Sequence, residues 1–244
     1  ERAGCLSQLG QFLPAAVALE EVQRLFSQNT FAPAALLEAA SNYRLAENFG
    51  EAARVYRRVI TEYSTHVTAL TARYLLAQLR FAQGDSGEAL RLLGQIDETA
   101  SESEQARDAL LLSQRILLAL NQGARASQTM KHLVKRFADS AHADSALVDF
   151  ARYHFAQKRF DEAVAAYSEA AKRRSTSVDW INLVHLGLAD ALRESEQFER
   201  AVEMYKKVTS QSAAASGTLA LANVGLATTY SRTGRARKAV PIFL

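Results

Sequence analysis

Phe49-Gly50-Glu51-Ala52-Ala53-Arg54-Val55-Tyr56, followed by Val59, decides how the whole chain is read. Ala52, Tyr56 and Val59 are spaced four and three apart, so they form one stripe of a helix. Just before them, Glu47-Asn48-Phe49-Gly50 is polar and carries a glycine, as a tight connection between helices requires. Twelve residues before Ala52 stands Ala40, a second small residue in a preceding helix. The local unit is therefore a helix, a short turn and a second helix, brought close by alanines.

The same unit recurs along the chain. Ala15, Ala52, Ala89, Ala126, Ala163, Ala201 and Ala239 are separated by 37, 37, 37, 37, 38 and 38 residues, by subtraction. Four residues after each come Leu19, Tyr56, Leu93, Met130, Tyr167, Tyr205 and Phe243. Three further on come Val22, Val59, Ile96, Leu133, Ala170 and Val208, and three before each alanine Phe12, Phe49, Phe160 and Phe198 extend the stripe. In the preceding helix Ala3, Ala40, Ala77, Ala151, Ala189 and Ala227 keep the same phase, with Gln114 as the exception. Gln114, together with Gly123 where an aromatic is expected, marks one degenerate, looser unit. Helix pairs that cannot bury their apolar faces alone do so by stacking.

Composition agrees. Nearly one residue in five of the 244 is alanine, and there are only 3 Pro and 11 Gly. Alanine combines the best helix propensity with a side chain small enough for close helix contact. Net charge is +3, from 29 basic and 26 acidic residues. That is too small to form an electrostatic footprint for nucleic acid. No apolar run approaches the roughly 20 residues of a membrane span.

The motifs Tyr43…Phe49-Gly50-Glu51-Ala52…Tyr56, Phe160-Asp161-Glu162-Ala163…Tyr167 and Phe198-Glu199-Arg200-Ala201…Tyr205 resemble the tetratricopeptide repeat. The resemblance implies an all-α fold, a right-handed α-α superhelix (TPR solenoid) of about six and a half helix-turn-helix units. The units fall at roughly 1–29, 30–66, 67–102, 103–140, 141–177, 178–215 and 216–244, with a period of 37–38 residues. The family period is about 34 residues, so this one is longer by one helical turn. That length, with Phe137-Ala138-Asp139-Ser140-Ala141-His142-Ala143-Asp144-Ser145-Ala146-Leu147, resembles bacterial cell-envelope members that assemble or coordinate the outer membrane. It implies a periplasmic or envelope location, with the cytoplasm as the alternative.

Nothing in the sequence supports catalysis. There is no phosphate cradle or dinucleotide fingerprint, and Gly84-Asp85-Ser86-Gly87 is a turn rather than a nucleophile elbow. His66, His132, His142, His154 and His185 show no metal-ligand spacing, and His154 reads as a packing residue. Cys5 reads as a small core residue. Neither a cofactor nor a metal is expected. The pairs Arg57-Arg58, Lys135-Arg136, Lys172-Arg173-Arg174 and Lys206-Lys207 read as a solvated face near helix C-termini.

Function is therefore expected from a surface. In the resembled architecture the first helix of each pair lines a concave face. The residues three before, one after and four after its small residue should meet a protein or peptide partner. The candidates are Arg44, Tyr74, Gln78, Phe81, Leu111, Arg115, Val148, Arg152, Phe155, Asp190 and Arg193. Arginine there favours an acidic partner, since its fork matches a carboxylate. Both ends of the chain lie inside a helix pair, so self-association through uncapped ends and a longer parent protein are further expectations. The leading reading is a non-catalytic interaction scaffold. The alternative is a regulatory or substrate-recruiting segment of a larger enzyme or secretion machine.

Overall fold

The computed structural model describes residues 2–100, 102–173, 177–211 and 215–243. Arg174 and the side chain of Phe243, named above, lie outside the described residues. Among those described there are fourteen helices and no strand. They are α1 (Arg2–Gln8), α2 (Phe12–Leu25), α3 (Ala32–Leu45), α4 (Phe49–Glu62), α5 (Val67–Ala82), α6 (Ser86–Thr99) and α7 (Glu104–Ala119), then α8 (Gly123–Arg136), α9 (Ala141–Ala156), α10 (Phe160–Ala171), α11 (Val178–Glu194), α12 (Phe198–Thr209), α13 (Ser216–Arg232) and α14 (Ala236–Phe243). Odd-numbered helices are the first arm of a pair, helix A, and even-numbered ones the second, helix B. Packing divides the chain into two compact units, Glu1–Ile116 and Leu117–Leu244. In the first, α1 to α6 pack in chain order, and α3 also touches α5. In the second, α8 to α14 pack in the same order, and α9 touches α11 as α11 touches α13.

The turn from A to B is built one way throughout. One residue in each takes the left-handed backbone conformation: Gly10, Glu47, Gly84, Asn121, Lys158, Glu196 and Gly234, with φ between 56° and 84°. The next residue donates its backbone N–H to a carbonyl five places earlier, as Asn48 does to Tyr43 and Gln197 to Leu192, at 2.8–2.9 Å. This is the Schellman closure, which satisfies carbonyls that a helix end leaves free. In six of the seven turns that donor is also the N-cap of helix B. Asn48 and Asp85 add a side-chain bond to the N–H of Glu51 and Glu88. Helices α9 and α11 start from Ser140 and Ser177, whose hydroxyls accept from Ala143 and Trp180.

The alanine register is the core. All seven helix-B alanines are buried, and so are Ala40, Ala77, Ala151, Ala189 and Ala227 of helix A. Tyr56, Leu93, Tyr205, Val59, Ile96, Leu133 and Val208 are also buried. In the degenerate pair Gln114 is fully buried in the alanine place. The space above Gly123 is taken by Tyr153, whose ring lies 3.1 Å from where a Cβ would sit.

Several expectations need correcting. Phe49 is 41% exposed and Phe12, Phe160 and Phe198 are only half-buried, because this place is the first residue of helix B, next to the exposed turn that joins the pair. Val22 is 44% exposed although its equivalents are buried. It lies in the second half of the 14-residue α2, which the seven-residue α1 does not reach, and it lines an apolar hollow with Phe26, Phe31 and Ala32. Cys5 is exposed. Its equivalents Asn42, Leu79, Ala191 and Thr229 are buried, Asn42 against the preceding helix A through Ser7, and among the described residues no helix lies on that side of α1. The basic pairs are not wholly solvated. Arg58 donates to Glu20 of α2 at 2.8 Å and Arg173 to Asp144, so both clasp separate helices together.

Candidate functional site

The helix-A face is held by tyrosines of helix B. Tyr56, Tyr167 and Tyr205 share one repeat position and are buried, yet each hydroxyl crosses to its own helix A. Each meets the residue just after the small one. Tyr56 shares a hydrogen bond with Ser41 at 3.3 Å, and Tyr205 donates to Asp190 at 2.5 Å. Tyr167 hydrogen-bonds Arg152. Two of these rings lie under a glycine of the next helix A. Gly187 stands over Tyr167 and Gly225 over Tyr205 so closely that an added Cβ would meet ring atoms at 2.5 and 2.4 Å. Burial raises the pKa of both phenol hydroxyls, and that of Tyr205 strongly.

In the first unit Arg44 and Gln78 are exposed, and Phe81 is half-buried. Gln78 bonds to the half-buried Tyr74, whose hydroxyl is pushed up by burial and by the Asp108 charge while Arg115 and the Gln78 bond pull it down. Arg115 is exposed at the end of that unit. Leu111 is only 9% exposed, so its side chain offers little to a ligand.

In the second unit Arg152 is exposed. Phe155 is half-buried, with its ring edge-on to Phe160 at 5.4 Å. Val148 is 3% exposed. Its place, three before the small residue, is a seam between neighbouring helices A rather than an open face. At the same place Val224 of α13 is 54% exposed, where no further helix A covers it among the described residues. Asp190 and Arg193 are brought together. Arg193 donates to the Tyr205 hydroxyl at 3.1 Å, lies 3.4 Å from Asp190 and pairs with Glu194, which also meets Arg232. Burial raises the Asp190 carboxyl, against the Tyr205 hydrogen bond and Arg193. These two charges are mostly committed within the protein, whereas Arg44, Gln78 and Arg152 keep exposed heads.

Sequence reasoning missed the hydroxyl ends of the three tyrosines and the two glycines above them. The signal was present: Tyr167 with Gly187, and Tyr205 with Gly225, each twenty residues apart. Among the described residues no cluster of His, Cys, Asp or Glu has the geometry to hold a metal. Nor is any helix there long and apolar enough to cross a membrane.

Comparison with known proteins bears on this arrangement. Family models described as tetratricopeptide repeat match residues 34–66, 115–178 and 184–214. A tetratricopeptide repeat protein from Parabacteroides merdae aligns with TM-score 0.59 and 17% identity over 100% of this chain and 88% of its own. The C-terminal part of a TPR repeat-containing protein from Cytophaga hutchinsonii aligns with TM-score 0.70 and 12% identity, over 99% and 91%. MamA from Desulfovibrio magneticus aligns with TM-score 0.54 and 16% identity, over 71% and 90%. At such identities the likeness is one of fold. No curated protein matches the sequence. Family matches in both units, in register with the alanine phase and the shared turn, lead to one assignment: the chain belongs to the tetratricopeptide-repeat family, an all-α helical repeat that serves as a protein-interaction scaffold.

Proposed function

We propose that the protein is a non-catalytic scaffold that holds an extended, acidic protein segment along its helix-A face. The observation that carries this reading is that each unit exposes polar helix-A residues at matching places, Arg44, Gln78 and Arg115 in the first and Arg152 in the second, with Gln78 bonded to the half-buried Tyr74 and Arg152 to Tyr167. The planar guanidinium fork is pre-organised for a carboxylate, so less freedom is lost per hydrogen bond formed. Phe81 and Phe155 supply the apolar contact beside it. Leu111 and Val148 leave the proposed contact set because they are buried. Asp190 and Arg193 remain as a self-neutralised pair that would have to open to bind. The long period and the Phe137–Leu147 segment support a bacterial envelope location as part of the same proposal.

The test starts from affinity capture with the intact protein, followed by calorimetry against the partner recovered. Arg115→Glu together with Arg152→Glu should weaken binding by about 2 kcal/mol, a hot-spot magnitude. Circular dichroism should report an unchanged fold, since exposed substitutions cost little. A folded double variant with wild-type affinity would move the binding surface away from helices A.

A further inference from the structure

The junction between the first two helix pairs is closed by an acid. Glu20 of α2 accepts from Arg54 at 2.9 Å, from Arg58 at 2.8 Å and from the Tyr43 hydroxyl at 2.8 Å. Glu51 completes the group by binding Arg54 at 2.7 Å. In repeat terms Glu20 lies five places after the helix-B alanine. Arg54 lies two places after the next such alanine, Glu51 one before it, and Tyr43 three after the small residue of helix A. The geometry of this junction proves that these four places converge.

One repeat later the same four places hold different charges. The position of Glu20 is Arg57, that of Arg54 is Arg91, that of Tyr43 is Arg80, and that of Glu51 is Glu88. The central acid has become a base, so three arginines hold the places that in the preceding junction bring one carboxylate to its donors, and all three act on Glu88. Glu88 is already bound by Arg91 at 2.7 and 2.8 Å. Its carboxyl is held low by that bond and further by Arg57 and Arg80. The other nearby acid, Asp85, caps α6 through the N–H of Glu88. Arg80 gives one terminal nitrogen to Gln83 at 3.0 Å, but its Nε is buried and has no partner. The Arg80 Nε is therefore a buried donor without an acceptor among the described residues, which is costly unless an anion completes it.

We propose that Arg57, Arg80 and Arg91 form a binding site for a phosphate-type oxyanion, which takes the place that Glu20 fills in the preceding junction. Arg57 and Arg80 contact the anion directly, and Arg91, braced by Glu88, adds charge beside it. Guanidinium forks suit a tetrahedral oxyanion because they offer paired donors in a plane. The site sits on the edge where helices B meet, away from the helix-A row. Its failure would therefore leave the scaffold reading untouched.

The experiment is thermal denaturation and calorimetric titration of the chain with sodium phosphate, at ionic strength matched with chloride. Wild type should show a saturable rise in Tm with phosphate that chloride does not give. Arg57→Gln and Arg80→Gln should each weaken phosphate about tenfold or more, the scale of one lost hydrogen bond to a charged group. Arg57→Glu should rebuild the Glu20 arrangement within the chain. Its Tm without phosphate should exceed that of wild type and should not respond to phosphate. A phosphoserine peptide and its unphosphorylated twin distinguish the source. Tighter binding of the phosphopeptide than of free phosphate assigns the site to a protein-borne group, and equal binding assigns it to the free anion. A wild-type Tm that follows ionic strength alone, or an Arg57→Glu variant that responds as wild type does, would overturn the proposal.

Discussion

The same substitution, glycine to alanine within a helix, should have opposite signs at two positions. Gly94 lies inside α6 with nothing within 4 Å of an added Cβ. There Gly94→Ala should gain about 0.5–1 kcal/mol, because alanine restricts the unfolded chain and favours the helix. Gly225 of α13 is different. A Cβ on it would lie 2.4, 2.5 and 2.7 Å from Cε1, Cζ and Oη of Tyr205. Carbon contacts relax at roughly 3.5–4.0 Å, so the ring must retreat by about 1 Å. Tyr205 is fully buried and held by Asp190 and Arg193, so retreat breaks those bonds. Overpacking costs roughly 1–3 kcal/mol and a strained bond to a charged group about 1–3 more, against the helix gain of about 1. Gly225→Ala should therefore lose roughly 1–5 kcal/mol in urea denaturation followed by circular dichroism. Shortening the ring in the double variant Gly225→Ala with Tyr205→Leu should cost less than the sum of the singles. A neutral or stabilised Gly225→Ala would refute the tyrosine-under-glycine packing.

Three further outcomes follow from other parts of the fold. Lys158→Gly and Glu196→Gly should each stabilise by roughly 0.5–1 kcal/mol, since a side chain is strained at positive φ, while Gly84→Ala should lose about as much; chemical denaturation measures all three. Glu20→Ala removes the shared acceptor of Tyr43, Arg54 and Arg58 and should cost roughly 2–3 kcal/mol, with hydrogen exchange rising first in α2. Burial lowers the pKa of His154, which packs edge-on to Phe150 at 4.5 Å, and of His185, whose neighbour Lys207 lowers it further. A base with a lowered folded pKa binds fewer protons folded than unfolded. Stability should then be full above about pH 6.5 and fall as acid protonates the unfolded state, and His154→Phe should flatten that slope in melts taken across pH.

The helix pairs were legible because alanine marks both sides of the closest contact. Ala52 and Ala40, or Ala163 and Ala151, cannot be exchanged for larger residues without parting the backbones, so their phase survives where their neighbours drift. The seam was not legible. Val148 and Phe155 are both apolar and lie on one stripe of α9, but the first is covered by the next helix A and the second is half open. Only the placement of the following helix separates them. The left-handed residue was hidden for another reason. Glycine fills it in three of the seven turns, while Glu47, Asn121, Lys158 and Glu196 accept the strain, so no residue type announces it. Asp190 and Arg193 looked like open charges because a sequence does not show that Tyr205 rises between them.

The shared residue at the A-to-B turn has a consequence for how such a chain can change. Because Asn48 ends one helix and starts the next, the two arms form a single cassette of fixed internal length. From the left-handed residue to the helix-B alanine is always five residues, and from the helix-A small residue to that alanine always twelve. The extra residue that lengthens the spacing from 37 to 38 falls wholly between cassettes. From Ala126 to Ala151 is 25 residues, whereas from Ala163 to Ala189 and from Ala201 to Ala227 is 26. Lineages of this protein should therefore gain and lose residues at hinges such as Ser64–Thr65, where the backbone is exposed, and hardly ever at Glu47–Asn48. For protein engineering, the cassette is the unit to graft, duplicate or delete, and the hinge is the place to cut.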